Sequence, residues 1–159
     1  MKGYLQFFLI IRAIVVFSLF LLSVYAVADS DVGTVDDTIG KPGNQNNVDR
    51  TIKIAAVEYM FLPNEIVVAQ GETVKFVVIN KGDKTHEFML DTKKNLRKRA
   101  KIRRLDPDSA VNGPNQIALN PDEEKTLIWE FTKTGTINFA CPIPGHFKGM
   151  RGKIYVETK

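Results

Sequence analysis

The chain has 159 residues, 44% of them hydrophobic and 25% charged, with a formal net charge of +4. That length holds one ordinary domain but hardly two, and the composition is that of a globular protein with a packed core. Its single cysteine, Cys141, excludes an internal disulfide.

At the N-terminus, Lys2 and Arg12 flank a stretch that runs apolar from Ala13 to Ala28. It closes on Ala26-Val27-Ala28 and turns acidic at Asp29. This pattern predicts a secretory signal peptide over residues 1–28 and an exported, periplasmic protein. The apolar run after Arg12 is shorter than the ~20 residues of a spanning helix. Counted back to Tyr4 it becomes long enough, so a retained membrane anchor is the alternative. If the signal is cleaved, no stable membrane span is expected. Residues 29–50 are rich in Asp, Gly and Asn (Gly40-Lys41-Pro42-Gly43-Asn44-Gln45-Asn46-Asn47) and read as a flexible linker.

From residue 51 to 159 short β-rich runs alternate with turn residues. Strands are predicted at Thr51–Glu58, Glu65–Ala69, Thr73–Asn80, Thr85–Asp91, Gln116–Leu119, Lys125–Phe131, Thr136–Ala140 and Lys153–Glu157. Val74, Phe76 and Val78 share one face, as do Leu127, Trp129 and Phe131; a period of two marks a half-buried strand. The expected fold class is all-β, a two-sheet β-sandwich. One segment breaks the rhythm. Lys93 to Arg104 carries eight basic residues in twelve, with Leu96 and Ala100 four apart as in a short helix. It reads as a basic excursion between strands, outside the core.

The residues with chemistry lie near the C-terminus. Cys141, His146 and Met150 fall within Cys-Pro-Ile-Pro-Gly-His-Phe-Lys-Gly-Met, and His86 is the only other histidine. Two imidazoles, a soft thiolate and a weak axial thioether form a ligand set suited to an electron-transfer copper ion. Cys141 follows a predicted strand, and Pro142, Pro144 and Gly145 turn the chain so that His146 returns toward it. Zinc is the competing metal, but methionine is a poor zinc ligand and no carboxylate sits in the 141–150 loop. A two-copper centre would need a second bridging cysteine. A hydrolase would need a base and an orienting group that are not apparent, so an enzyme is not expected. Met89, three residues past His86, reads as core packing, with a further weak copper donor as the alternative.

These residues resemble the cupredoxin family of small blue copper proteins. The likeness runs from about Val57 to Lys159 and includes Phe61-x-Pro63-x-x-Ile66-x-Val68-x-x-Gly71-Glu72-Thr73-Val74, then Asn80 ahead of His86, then the Cys-to-Met loop. The spacing Cys-x₄-His-x₃-Met is similar to that of azurins. His86-Glu87-Phe88 resembles the exported cupredoxins associated with bacterial copper tolerance. The resemblance implies a Greek-key sandwich, with His86, Cys141 and His146 as trigonal ligands of one type 1 copper and Met150 as the axial one. Two positions depart from the pattern. Glu87 stands where many of the family carry Asn, and Thr85 where azurins carry Gly.

Removing Lys2 and Arg12 with residues 1–28 leaves 20 basic against 18 acidic residues; without the basic run the count would be 12 against 18. The positive charge is therefore concentrated in Lys93–Arg104. The run is either a solvated segment or a docking patch for an acidic redox partner such as a cytochrome or oxidase. Nucleic acid is not an expected partner of an exported chain, and a monomer is expected. The resemblance places electron exit at the edge of His146, inside an apolar patch of Ile143, Pro144 and Phe147. Two functions stay open: an electron carrier cycling Cu(I) and Cu(II), and a copper-resistance protein that sequesters or delivers copper.

Overall fold

The computed structural model describes residues 37–109 and 113–159. The expected signal peptide at 1–28 and residues 29–36 lie outside them. Ten strands are described: β1 (Lys41–Pro42), β2 (Arg50–Val57), β3 (Met60–Leu62), β4 (Glu65–Ala69), β5 (Thr73–Asn80), β6 (His86–Asp91), β7 (Gln116–Leu119), β8 (Glu124–Glu130), β9 (Gly135–Ala140) and β10 (Arg151–Glu157). One sheet has the order β1-β8-β5-β2-β3 and the other β4-β10-β9-β6-β7. β2 pairs with β5 and β4 with β10 in parallel; the remaining pairs are antiparallel. All eight strands expected from the sequence are present, with ends displaced by at most two residues. β1 and β3 were not foreseen, because two or three residues are too few for an alternating pattern to register.

The alternation becomes a shared core. Val74, Phe76 and Val78 of β5 and Leu127 and Trp129 of β8, with Phe131 just beyond it, are buried as the pattern requires. Phe76 of the first sheet meets Phe88 of the second at 5.8 Å between ring centroids, so the sheets pack face to face. Phe61 joins the same cluster edge-on to Phe88 at 5.4 Å and Phe139 at 5.5 Å.

Residues 37–49 correct the linker expectation. Ile39 is buried, and its carbonyl accepts the indole N–H of Trp129 at 2.6 Å. Lys41 and Pro42 pair with Glu130 and Trp129, and Asp49 Oδ2 accepts the Thr73 N–H at 2.8 Å. The reason is the tryptophan. Its N–H is carried into the core by β8 and needs an acceptor there, and a polar segment can supply one from its backbone. Gly40 makes the approach possible: its φ is +99°, and a Cβ there would collide with the Glu130 carbonyl oxygen. Gly40→Ala is therefore expected to destabilise the domain by about 2 kcal/mol, from backbone strain plus overpacking. Urea denaturation followed by tryptophan fluorescence measures it; an unchanged midpoint would mean the segment is not docked in solution.

The basic run forms a helix, α1 (Lys93–Leu105), capped by Thr92, whose hydroxyl accepts the Asn95 N–H at 3.2 Å. The expectation that it lies outside the core holds only for its cationic face. Leu96 is buried against Met89 and Ala140, with Phe147 packed on the same cluster. Met89 thus packs under the helix, as its strand position predicts.

Candidate metal centre

His86 opens β6, and the turn before it is tied by Asn80, the last residue of β5. The fully buried Asn80 amide donates to the carbonyls of Lys84 at 2.7 Å and Leu119 at 3.2 Å. Its oxygen accepts the Gly82 N–H at 3.0 Å. A single side chain therefore closes residues 80–84 and sets where His86 enters the strand.

Cys141 directly follows β9 and Met150 directly precedes β10, so the loop between them is a connection across an antiparallel pair. The Cys141 N–H donates to the Met150 carbonyl at 3.0 Å, and the His146 carbonyl accepts the Met150 N–H at 2.9 Å. Inside the loop the His146 N–H donates to Ile143 at 3.0 Å, and Gly145 takes φ +87°, which glycine adopts without penalty. The chain is thereby doubled back, and His146 faces the cysteine.

The structure brings three of the four expected site residues to one point. The ligand atoms of His86, Cys141 and His146 all lie within 4.8 Å of one another, and all three residues are buried. The two Nδ1 atoms face each other at 3.2 Å, and Cys141 Sγ lies 3.5 Å from His146 Nδ1. Met150 is fully buried beside them, held to Cys141 through the backbone. Two imidazoles and a thiol gathered this closely in a buried pocket offer three donor atoms to one point, and a soft cation between them would satisfy all three. The donor set fits a copper ion better than a hard cation.

Electrostatics point the same way. Burial lowers the pKa of both histidines; Glu58 partly opposes this at His86, and the neighbouring His86 and Lys84 charges reinforce it at His146. Neutral imidazoles are the ligating form. Burial pushes the Cys141 thiol up to about 11, against the pull of the Glu87 and Ile143 N–H groups. The Glu87 N–H points at Cys141 Sγ from 3.3 Å. The Glu87 side chain, in the position where the family usually has Asn, instead pairs with Arg103 of α1 at 2.7 Å.

Two residues of the site escaped the sequence reading. Glu58 Oε1 lies 3.4 Å from His86 Nε2, off the line of a hydrogen bond, and accepts the Asp83 N–H at 2.8 Å. A carboxylate behind a metal-facing imidazole favours the tautomer with Nδ1 free. Tyr59 meets the His146 ring edge-on at 4.7 Å and is 41% exposed, with Met60 beside it at 47%. Nothing in the spacing of these residues marks them, since their contacts arise only where the β2–β3 turn meets the 80–85 turn and the 141–150 loop.

A family model described as a cupredoxin-like domain matches residues 13–156. The chain belongs to the cupredoxin-like family. Among relatives of this cupredoxin is the copper-resistant cuproprotein CopI of Rubrivivax gelatinosus, 37% identical over 83% of this chain and 81% of the relative. The copper-resistant cuproprotein CopI of Pseudomonas aeruginosa is 29% identical over 74% of this chain and 82% of its own. Among solved structures, auracyanin A, a blue copper protein of Chloroflexus aurantiacus, superimposes with a TM-score of 0.58. It is 23% identical and covers 67% of this chain and 98% of its own. At that identity the likeness speaks for the fold, a cupredoxin sandwich.

Proposed function

We propose that this cupredoxin is an exported copper protein that holds one ion between His86, Cys141 and His146, with Met150 as a weak axial donor, and exchanges single electrons through it. The observation that carries this reading is the convergence of two neutral imidazoles and one thiol in a buried pocket. Bound copper would supply a one-electron Cu(I)/Cu(II) couple. The chain's own part is to hold the donors still. The loop is braced by backbone bonds at both ends and His86 by the Asn80 network, so a change of charge asks little rearrangement. His146, 7% exposed, lies against the exposed Tyr59 ring and is the natural exit for an electron. An acidic redox partner, a cytochrome or oxidase, would meet the exposed cations of α1. The protein would act as a periplasmic monomer.

A second reading is favoured by the relatives, both named for copper resistance: the same pocket sequesters or delivers copper. Copper titration of the full chain, followed by optical and paramagnetic-resonance spectra and rapid-mixing electron exchange with a cytochrome, tests both. One copper per chain, an intense visible band and fast reversible exchange are expected. Slow exchange, with copper-sensitive growth and intact respiration in a deletion strain, would favour the second reading. Failure to bind one copper would overturn both.

A further inference from the structure

Beside the metal loop, between α1 and the start of β10, the surface opens into a cleft of about 420 Å³. Four cations line it: Lys93 and Arg97 from α1, and Arg151 and Lys153 from β10. Only one carboxylate does, Glu65, which lies 3.7 Å from Lys153. Lys93 and Arg97 have no ion pair among the described residues, and the Arg151 guanidinium rests over the Phe147 ring at 5.7 Å. The lining is not uniformly polar. Half-buried Phe147 supplies apolar surface, with the buried Leu96 and Phe139 behind it, and Asn64 and Asn138 complete the lining.

We infer that this cleft is a binding site for a small organic polyanion, one carrying two or more carboxylate or phosphate groups. Mutual repulsion of four like charges around one concavity is relieved by a multivalent anion, and a low-dielectric wall strengthens the attraction. Two arginines from separate elements can take an oxyanion in bidentate fashion. The Phe147 ring in its wall suits the carbon body of an organic acid better than a bare inorganic ion. The volume lies in the lower part of the range for small-molecule sites. Two of the cations belong to the basic run, but Arg151 and Lys153 do not: the site exists only because β10 passes beside the helix. Phe147 and Gly149 in its wall adjoin His146 and Met150, so an occupant would rest against the metal loop. The inference does not depend on electron transfer.

Citrate and acetate serve as probes, titrated into the full chain at low ionic strength, with backbone amide shifts and calorimetry as readouts. Citrate is expected to bind one to one, moving Phe147, Gly149 and Gly152, and acetate far more weakly. Arg97→Glu and Arg151→Glu should each weaken citrate by about tenfold or more, the weight of one charge-assisted hydrogen bond. Lys98→Glu changes the net charge equally on an exposed face of α1 outside the cleft, and should leave most of the affinity. Citrate without saturation, or an equal loss in Lys98→Glu, would overturn the site and leave only diffuse attraction to a basic helix.

Discussion

Cys141→Ser is expected to abolish the intense visible absorption of the copper-loaded protein. Such a band requires a thiolate donating into the metal, and a serine hydroxyl does not provide one. The two side chains differ little in size, so the buried position should still fold, which far-ultraviolet circular dichroism checks. Proton release gives an independent readout. With the thiol pushed up to about 11, the cysteine is protonated at neutral pH before loading. Both histidines, with lowered pKa, are already neutral there. Loading should therefore release about one proton per copper near neutral pH in the parent chain, and none from this position in the variant. By linkage, copper affinity in the parent should climb about tenfold per pH unit below the thiol pKa. An affinity independent of pH across the neutral range would exclude Cys141 as a ligand.

Arg103→Ala is expected to cost about 3 kcal/mol at neutral pH, because it strands a buried carboxylate without its partner. The Glu87 side chain is 2% exposed and its Oε1 lies 2.7 Å from Arg103 Nη2, while Oε2 has no hydrogen-bond partner. Burial raises the Glu87 pKa even against the pull of Arg103 and Arg99. The sign of the pH dependence follows. A carboxyl whose folded pKa is raised favours folding fully below its unfolded value, and that contribution is lost as pH rises through the folded one. Removing Arg103 raises the folded value further and widens the window of loss. The variant should thus approach the parent's stability in mild acid and fall away toward neutral pH. Urea denaturation at both ends of this window measures the difference. A penalty independent of pH would mean that Arg103 acts through packing of its stem. Because Glu87 follows His86 and its N–H faces the cysteine sulfur, the variant should also shift the copper spectrum.

The metal site was legible because its residue types are scarce. Two histidines and one cysteine leave few combinations, and three of the four expected site residues fall within ten positions. The strands were legible because a sheet with one buried face imposes a period of two. The linker reading failed at residues 37–49 because composition averages over a segment, whereas this one is held by a single buried isoleucine, the Asp49 carboxylate and backbone bonds. The basic run was half understood. Its charges announced a solvated face, but one leucine among eight cations gave little sign that the helix would be pinned beneath Phe147.

Residue type and local order determined the sandwich class, the position of most strands and the set of donors able to take a soft ion. Tertiary structure alone decided that Glu58 stands behind His86, that Tyr59 edges His146, that Glu87 reaches Arg103, and that two strand cations join two helix cations around one cleft. The physical reason is the range of each signal. Periodicity and ligand chemistry are properties of neighbours along the chain, whereas these contacts depend on the packing of separate turns, strands and a helix, and no local pattern encodes that closeness.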